Sequence, residues 1–309
     1  MNPDHRIVLV GRSDESAERA MKEVLNSLPE GTRSHRGLIP IGCDHCSLAD
    51  VRSFPTRLRR RLDETYDATK WVTNGLDVVC LNAAVLAAQD SRPIYTKDGF
   101  EETFQTNYLA QFLLGNLLLD FLNPGGRFVF STSGLFCQQS LRLDGALDPD
   151  TRLPRWQKGL AMIDGTDFDF KRSYAQSKLC LVAYMLRLNG MLKSRGAVAN
   201  CFSPGLMPTT GLFRHQGDVS SSFSNKEARR YEKTAEWGAG ALVFMCVSDE
   251  AGKEGGNYWR GLGSSSGYGQ EFSGTSVSDG VLDGKIGDDL WQLSTSMTTE
   301  QGEEYRVLG

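Results

Sequence analysis

Tyr174-Ala175-Gln176-Ser177-Lys178 is the segment of this chain best equipped for chemistry. A four-residue step on a helix places the phenol and the amine on one face, a single turn apart. A phenol ordinarily titrates near pH ~10 and exchanges protons poorly at neutrality. An adjacent ammonium favours the phenolate and is expected to lower that value. The pair is therefore suited to proton transfer opposite a hydride acceptor. A Tyr-x-x-x-Lys spacing alone is also ordinary helix surface, so the surrounding polar residues decide its weight.

Those residues come in a consistent order. Asn82-Ala83-Ala84 closes an apolar run, Asn107 sits where a long helix turns apolar, and Ser133 ends Phe128-Val129-Phe130-Ser131-Thr132-Ser133. Ser203-Pro204-Gly205 follows the next strand, with Thr209 and Thr210 just beyond. Taken singly, these are a strand-end turn, a helix kink, a loop hydroxyl and a Pro-Gly turn. Together they fit one site at the carboxyl ends of strands, where open α/β sheets bind ligands.

Short apolar strands and longer helices alternate to position them. The expected strands are 7–10, 38–43, 77–82, 127–131, 198–202 and a short one near Tyr258-Trp259. The expected helices are 13–28, one from about 47, 98–122, 172–193 and 226–247. Pro55 should kink or break the second of these, at about 3 kcal/mol. This alternation predicts an α/β fold, a doubly wound, Rossmann-like parallel sheet with helices on both faces. Residues 1–263 form the main domain, and 264–309 turn rich in Ser, Gly and Asp, suggesting surface loops and one helix over 288–296.

Composition excludes several classes. The chain has 309 residues, 40% hydrophobic and 23% charged, which suits a globular fold and argues against disorder. A net charge of −4 offers no general attraction to nucleic acid. Seven scattered cysteines favour reduced thiols, and Cys43-Asp44-His45-Cys46 is half a metal site without a second half, so no metal is expected. No apolar run approaches the ~18 residues of a membrane span. The first six residues read as neither signal nor transit peptide.

With these residues in place, the chain resembles the short-chain dehydrogenase/reductase superfamily from about Arg6 to Trp259. The resemblance implies a catalytic tetrad of Asn107, Ser133, Tyr174 and Lys178. It implies NADPH as cofactor, held by Arg12, Asp44, Asn82, Ala83, Tyr174, Lys178, Pro204, Gly205 and Thr209. Asp44 corresponds to the acidic residue at adenine. Arg12 corresponds to the basic residue at the 2′-phosphate, a task that suits a guanidinium.

Two strings, Ala161-Met162-Ile163-Asp164-Gly165-Thr166-Asp167-Phe168-Asp169 and Thr209-Thr210-Gly211-Leu212-Phe213-Arg214, resemble light-dependent protochlorophyllide oxidoreductases. That family implies light-driven, NADPH-dependent reduction of a tetrapyrrole double bond in chlorophyll biosynthesis, and a plastid location. Peripheral membrane contact and oligomerisation stay open. Another short-chain reductase of a carbonyl or alcohol, and a non-catalytic relative binding pigment or a protein partner, are the alternative readings.

Three features depart from the pattern. Leu206 stands where the family places a cysteine beside the pigment. Gly217 to Asn225 is polar where an apolar lid is expected. The first strand and the glycine-rich loop are missing, and the late cluster Gly261 to Gly269 reads as loop. Either the sequence is an incomplete version of a longer chain, which the thin margin of protein stability favours, or the flanking strands close on each other and cofactor binding is impaired.

Overall fold

Ile7-Val8-Leu9-Val10 and Leu38-Ile39-Pro40-Ile41 are short, apolar and β-branched, as strands buried in parallel sheets are. They become β1 (Ile7–Gly11) and β2 (Leu38–Gly42), paired in parallel with Ile7 opposite Leu38 and Gly11 opposite Gly42. The structure, a computed structural model, describes residues 6–29, 37–65, 75–88, 92–138, 165, 168–214, 232–261, 272–276 and 284–299. A second sheet runs in the order β3 (Leu76–Leu81), β4 (Leu122–Ser131), β5 (Val198–Ser203), β6 (Asn257–Gly261), β7 (Phe272–Ser276). Its first four strands are mutually parallel and β7 is antiparallel to β6.

Helices α1 (Asp14–Ser27), α2 (Leu48–Thr65), α3 (Glu102–Phe104) and α4 (Ala110–Leu117) alternate with the early strands. They are followed by α5 (Phe170–Leu192), α6 (Ala235–Val247), α7 (Asp249–Lys253) and α8 (Gly284–Thr298). Alternation along the strands sorts side chains to two faces. Phe128 and Phe130 join Val79, Leu81 and Ile41 in a core built with α2, α4, α5 and α8. Val129 points the other way, to a smaller core with Phe202, Trp259 and the α6 residues Trp237, Ala241 and Met245. This is the expected α/β arrangement, with a mostly parallel sheet between helical layers.

Among the described residues β1 pairs with β2 alone and β3 with β4 alone, so backbone pairing is interrupted between β1 and β3. The alternative in which these strands close on each other is not realised. The two sheets are joined through side chains, because Ile41 and Cys43 share a core with Val79 and Leu81. Exposed Ile7, Val10 and Cys80 mark the unpaired stretch.

Several local expectations need correction. Helix α2 continues through Pro55. The missing N–H costs one hydrogen bond, but Val51, Phe54 and Leu58 anchor both halves in the core. The helix expected over 98–122 starts later and is subdivided. The Glu101 carboxylate caps it by accepting from the backbone N–H of Thr103 and Phe104, both at 2.9 Å, which fixes the start at Glu102. A π-helical turn over Gln105–Leu109 then separates α3 from α4. Helix α6 begins at Ala235, where Thr234 Oγ1 accepts from Trp237 N at 3.1 Å, so Glu232 and Lys233 precede it. The segment after 263 is more than surface loop. Strand β7 extends the sheet, and Leu290, Leu293 and Met297 of α8 enter the main core.

Candidate active site

Helix α5 is buried along most of its length, with exposed residues only towards its two ends. Asp169 caps it by accepting from Arg172 N at 2.7 Å. Tyr174 and Lys178 thus lie one turn apart on a helix held on several sides, with both side chains buried. Lys178 Nζ donates to the Ser131 carbonyl at 2.9 Å and lies 5.7 Å from the Tyr174 ring centre. Burial pushes the Lys178 amine down to about 7.

Burial pushes the Tyr174 phenol well above its ordinary range, and the Ser133 hydroxyl, its hydrogen-bond partner, acts in the opposite direction. The sequence reasoning expected a lowered phenol, so its direction is corrected. The cause is burial of both groups: Lys178 spends a proton on Ser131, and desolvation of the phenolate outweighs the hydroxyl. At neutral pH the phenol stays protonated, beside an amine close to half-protonation.

Asn107 lies in the π-helical turn and is fully buried. Its Oδ1 accepts from Val85 N at 2.7 Å, while Nδ2 donates to Val85 O at 2.9 Å and to Ser177 Oγ at 3.1 Å. A π turn re-aims one side chain without ending the helix. Here it directs Asn107 to the segment after β3 and to α5 at once. Ser177 completes the link by donating to Tyr174 O at 2.7 Å.

Sequence reasoning missed Ser177, although it lies inside the motif three residues from Tyr174. It also missed Glu101, whose Oε2 accepts from Ser173 Oγ at 2.9 Å beside Tyr174. Gln111 was missed as well; its Nε2 donates to Ala83 O at 2.6 Å and pins the strand-end segment. Helical spacing from Asn107 to Gln111 was the available signal for the last.

One side of Tyr174 is apolar. Leu86, Phe170 and Phe213 surround it, with Ala87, Leu135, Phe168, Leu206 and Leu212 packed against them. The Pro204-Gly205 turn leads into Leu206 of this wall, and Gly205 has φ +83°, a conformation that residues other than glycine rarely adopt. Thr209 is exposed at its rim. Leu206 adds a methyl-bearing surface and bridges to Glu232 through its backbone. The 217–225 segment and most of the 161–169 string lie outside the described residues.

The other expected ligands gather at the carboxyl ends of β1, β2 and β3 and are more open. Arg12 Nε sits 3.4 Å from Asp44 Oδ1, and its Nη2 lies 3.2 Å from Cys46 Sγ and 3.8 Å from Glu102 Oε1. The Arg12 side chain is 66% exposed. Asn82 and Ala83 are exposed at the end of β3. A separate cavity of about 750 Å³ on α2, lined by Arg59, Asp63 and Phe121 among others, contains no residue of the expected site.

No family model matches the chain. It is 30% identical over 271 residues to the chloroplastic protochlorophyllide reductase of Daucus carota, covering 82% of this chain and 63% of that protein. It is 28% identical to retinol dehydrogenase 13 of Mus musculus, covering 83% of this chain and 68% of that protein. The fold matches a short-chain dehydrogenase from Burkholderia cenocepacia J2315 in complex with NADP. The TM-score is 0.52 at 21% identity, over 82% of this chain and 85% of that one. The chain thus has the short-chain dehydrogenase/reductase fold and is similar in sequence to protochlorophyllide reductases and retinol dehydrogenases.

It spans 63% of the length of the carrot protein. No helix among the described residues is long and apolar enough to cross a membrane. The described residues also contain no cluster of three or more His, Cys, Asp or Glu able to hold a metal ion.

Proposed function

We propose that this chain is an NADPH-dependent reductase acting as protochlorophyllide oxidoreductases do, by light-driven reduction of a tetrapyrrole ring double bond. The observation that carries the reading is the buried Tyr174 phenol, bonded to Ser133 and kept protonated above an amine at about 7. The apolar wall of Leu86, Phe170, Leu206 and Phe213 supports a large, flat, poorly hydrated substrate. A plastid location is part of this proposal and rests on the chloroplastic relatives.

The residues fit the two ends of a dinucleotide. Lys178 Nζ has three N–H donors and gives one to Ser131, which leaves donor capacity for a ribose hydroxyl. Asn82, Ala83, Pro204, Gly205 and Thr209 would border the nicotinamide end. Arg12 and Asp44 would take the adenosine end, with the guanidinium able to hold a 2′-phosphate in place of its carboxylate neighbours. Among the described residues no strand-to-helix turn rich in glycine serves the pyrophosphate.

When bound, the cofactor supplies the hydride. Tyr174 gives its phenolic proton to the reduced substrate, and Ser133 holds that phenol in line. Lys178 steadies the transient phenolate and returns a proton to it. Asn107 fixes Ser177 and hence this stretch of α5, while the apolar wall excludes water and keeps the proton from exchanging early. Net, one substrate double bond gains a hydride and a proton.

The test is to combine the chain with NADPH and protochlorophyllide and record absorption in darkness and after illumination. Product that appears with light alone is the expected result; pigment unchanged after illumination would refute the reading. A second reading, reduction of an apolar carbonyl or oxidation of an alcohol, is favoured by Leu206, an aliphatic residue unable to donate a proton at the pigment wall. It predicts turnover in darkness.

A further inference from the structure

On the opposite face of the sheet from Tyr174, two thiols meet that the proposed reaction does not use. Cys80 lies on β3, at the exposed and unpaired edge of its sheet. Cys246 lies in the last turn of α6, half-buried against the smaller core. They are 166 residues apart in the chain, yet their sulfurs are 3.3 Å apart.

A disulfide bond needs about 2.0 Å between sulfurs, so closure requires a further approach of about 1.3 Å by one edge strand and one helix end. Neither element is deeply enclosed: Val243 and Val247 of α6 are exposed beside the pair. We propose that Cys80 and Cys246 form an oxidation site that converts between a dithiol and a disulfide, with a hydroperoxide as oxidant and a dithiol as reductant.

The surroundings distinguish the two sulfurs. Arg127 donates through Nη1 to the carbonyls of Met245, at 3.3 Å, and Ser248, at 2.8 Å, which holds its charge beside Cys246. The contact with Cys80, in which either sulfur can donate, and the Arg127 charge favour the Cys246 thiolate against the cost of burial. Cys246 is thus the attacking thiolate and Cys80 the resolving thiol. The Cys246 thiolate takes one oxygen of hydrogen peroxide to become a sulfenic acid, and the other oxygen leaves as water once protonated. Cys80 sulfur then displaces that hydroxyl, its own proton leaving with it as the second water. In sum, two thiols and one peroxide give one disulfide and two waters. A disulfide with one exposed sulfur is of the reducible kind.

Closure would fasten β3 to α6 two residues before Asn82. The free edge of the sheet would thereby be tied to the helical layer while Tyr174 is left untouched.

The experiment is to treat the full chain with hydrogen peroxide, block free thiols, digest without reduction and weigh the peptides. The expected result is one cross-linked species joining the Cys80 and Cys246 peptides, two hydrogens lighter than their sum and abolished by dithiothreitol. Thermal unfolding should move several degrees higher on oxidation and return on reduction. Neither change should occur in Cys80→Ser or, should that variant fold poorly, in Cys246→Ala. Both cysteines recovered blocked, either one recovered as sulfinic acid, or a cross-link to any other cysteine would overturn the proposal.

Discussion

Around Tyr174 the polar side chains are buried and tied to one another, whereas around Arg12 they lie near the surface and pair across open solvent. Asn107 makes three hydrogen bonds and has no exposed surface. Arg12 is 66% exposed and shares its guanidinium among Asp44, Cys46 and Glu102. The difference has a structural source. The Tyr174 side rests on β4 and β5, which are paired along both edges, while the Arg12 side rests on β1, which is paired along one edge alone among the described residues. Proton-handling groups need a dry, fixed setting because desolvation tunes them. A phosphate ligand needs an accessible cation, which exposure provides.

Substitutions on the two sides should therefore differ in kind. Tyr174→Phe removes the transferable proton and should lower turnover about 100- to 10,000-fold without lowering the melting temperature. Comparable turnover in the variant would remove Tyr174 from the reaction.

Lys178 should govern stability in alkali. Its folded value of about 7 lies below the unfolded value, so the unfolded chain holds more protons between the two. Stability should accordingly rise with pH from roughly 7 to 10.5, by about 3–5 kcal/mol from this group. Below that window the full cost of charging the buried amine is present. Denaturant melts across that range should show the rise in the parent and lose it in Lys178→Met. Asn107→Ala leaves both backbone groups of Val85 without their partner and should cost about 2 kcal/mol, seen as an earlier urea midpoint, with turnover reduced about tenfold.

The smallest effects belong to the open side. Arg12→Gln should change stability by no more than about 0.5 kcal/mol, as exposed pairs contribute little. It should weaken NADPH binding about tenfold relative to NADH. A stability loss like that of Asn107→Ala would erase the contrast between the two regions.

How far this could be read beforehand follows the same division. The parallel α/β fold, Tyr174 and Lys178 on one helix face, and the strand-end placement of Ser133 are carried by periodicity and by short apolar runs. The π turn at Gln105–Leu109 was not legible, because it depends on Asn107 finding Val85 and Ser177, contacts far away in the chain. The start of the same helix at Glu102 depends on a buried carboxylate that also serves Ser173. The raised Tyr174 phenol was misjudged because spacing shows a neighbouring charge but not the depth at which both groups lie. Strand β7 and the core face of α8 were hidden in a Ser- and Gly-rich composition whose few apolar residues, Leu290, Leu293 and Met297, reach the core at helical spacing.

The pH dependence of kcat/KM, which reports the unliganded enzyme, tests the proton-handling pair most directly. In the parent it should fall as pH rises through about 7, following loss of the Lys178 proton, and that inflection should be absent from the residual activity of Lys178→Met. The same inflection in both proteins would contradict the assignment of the proton supply to Lys178.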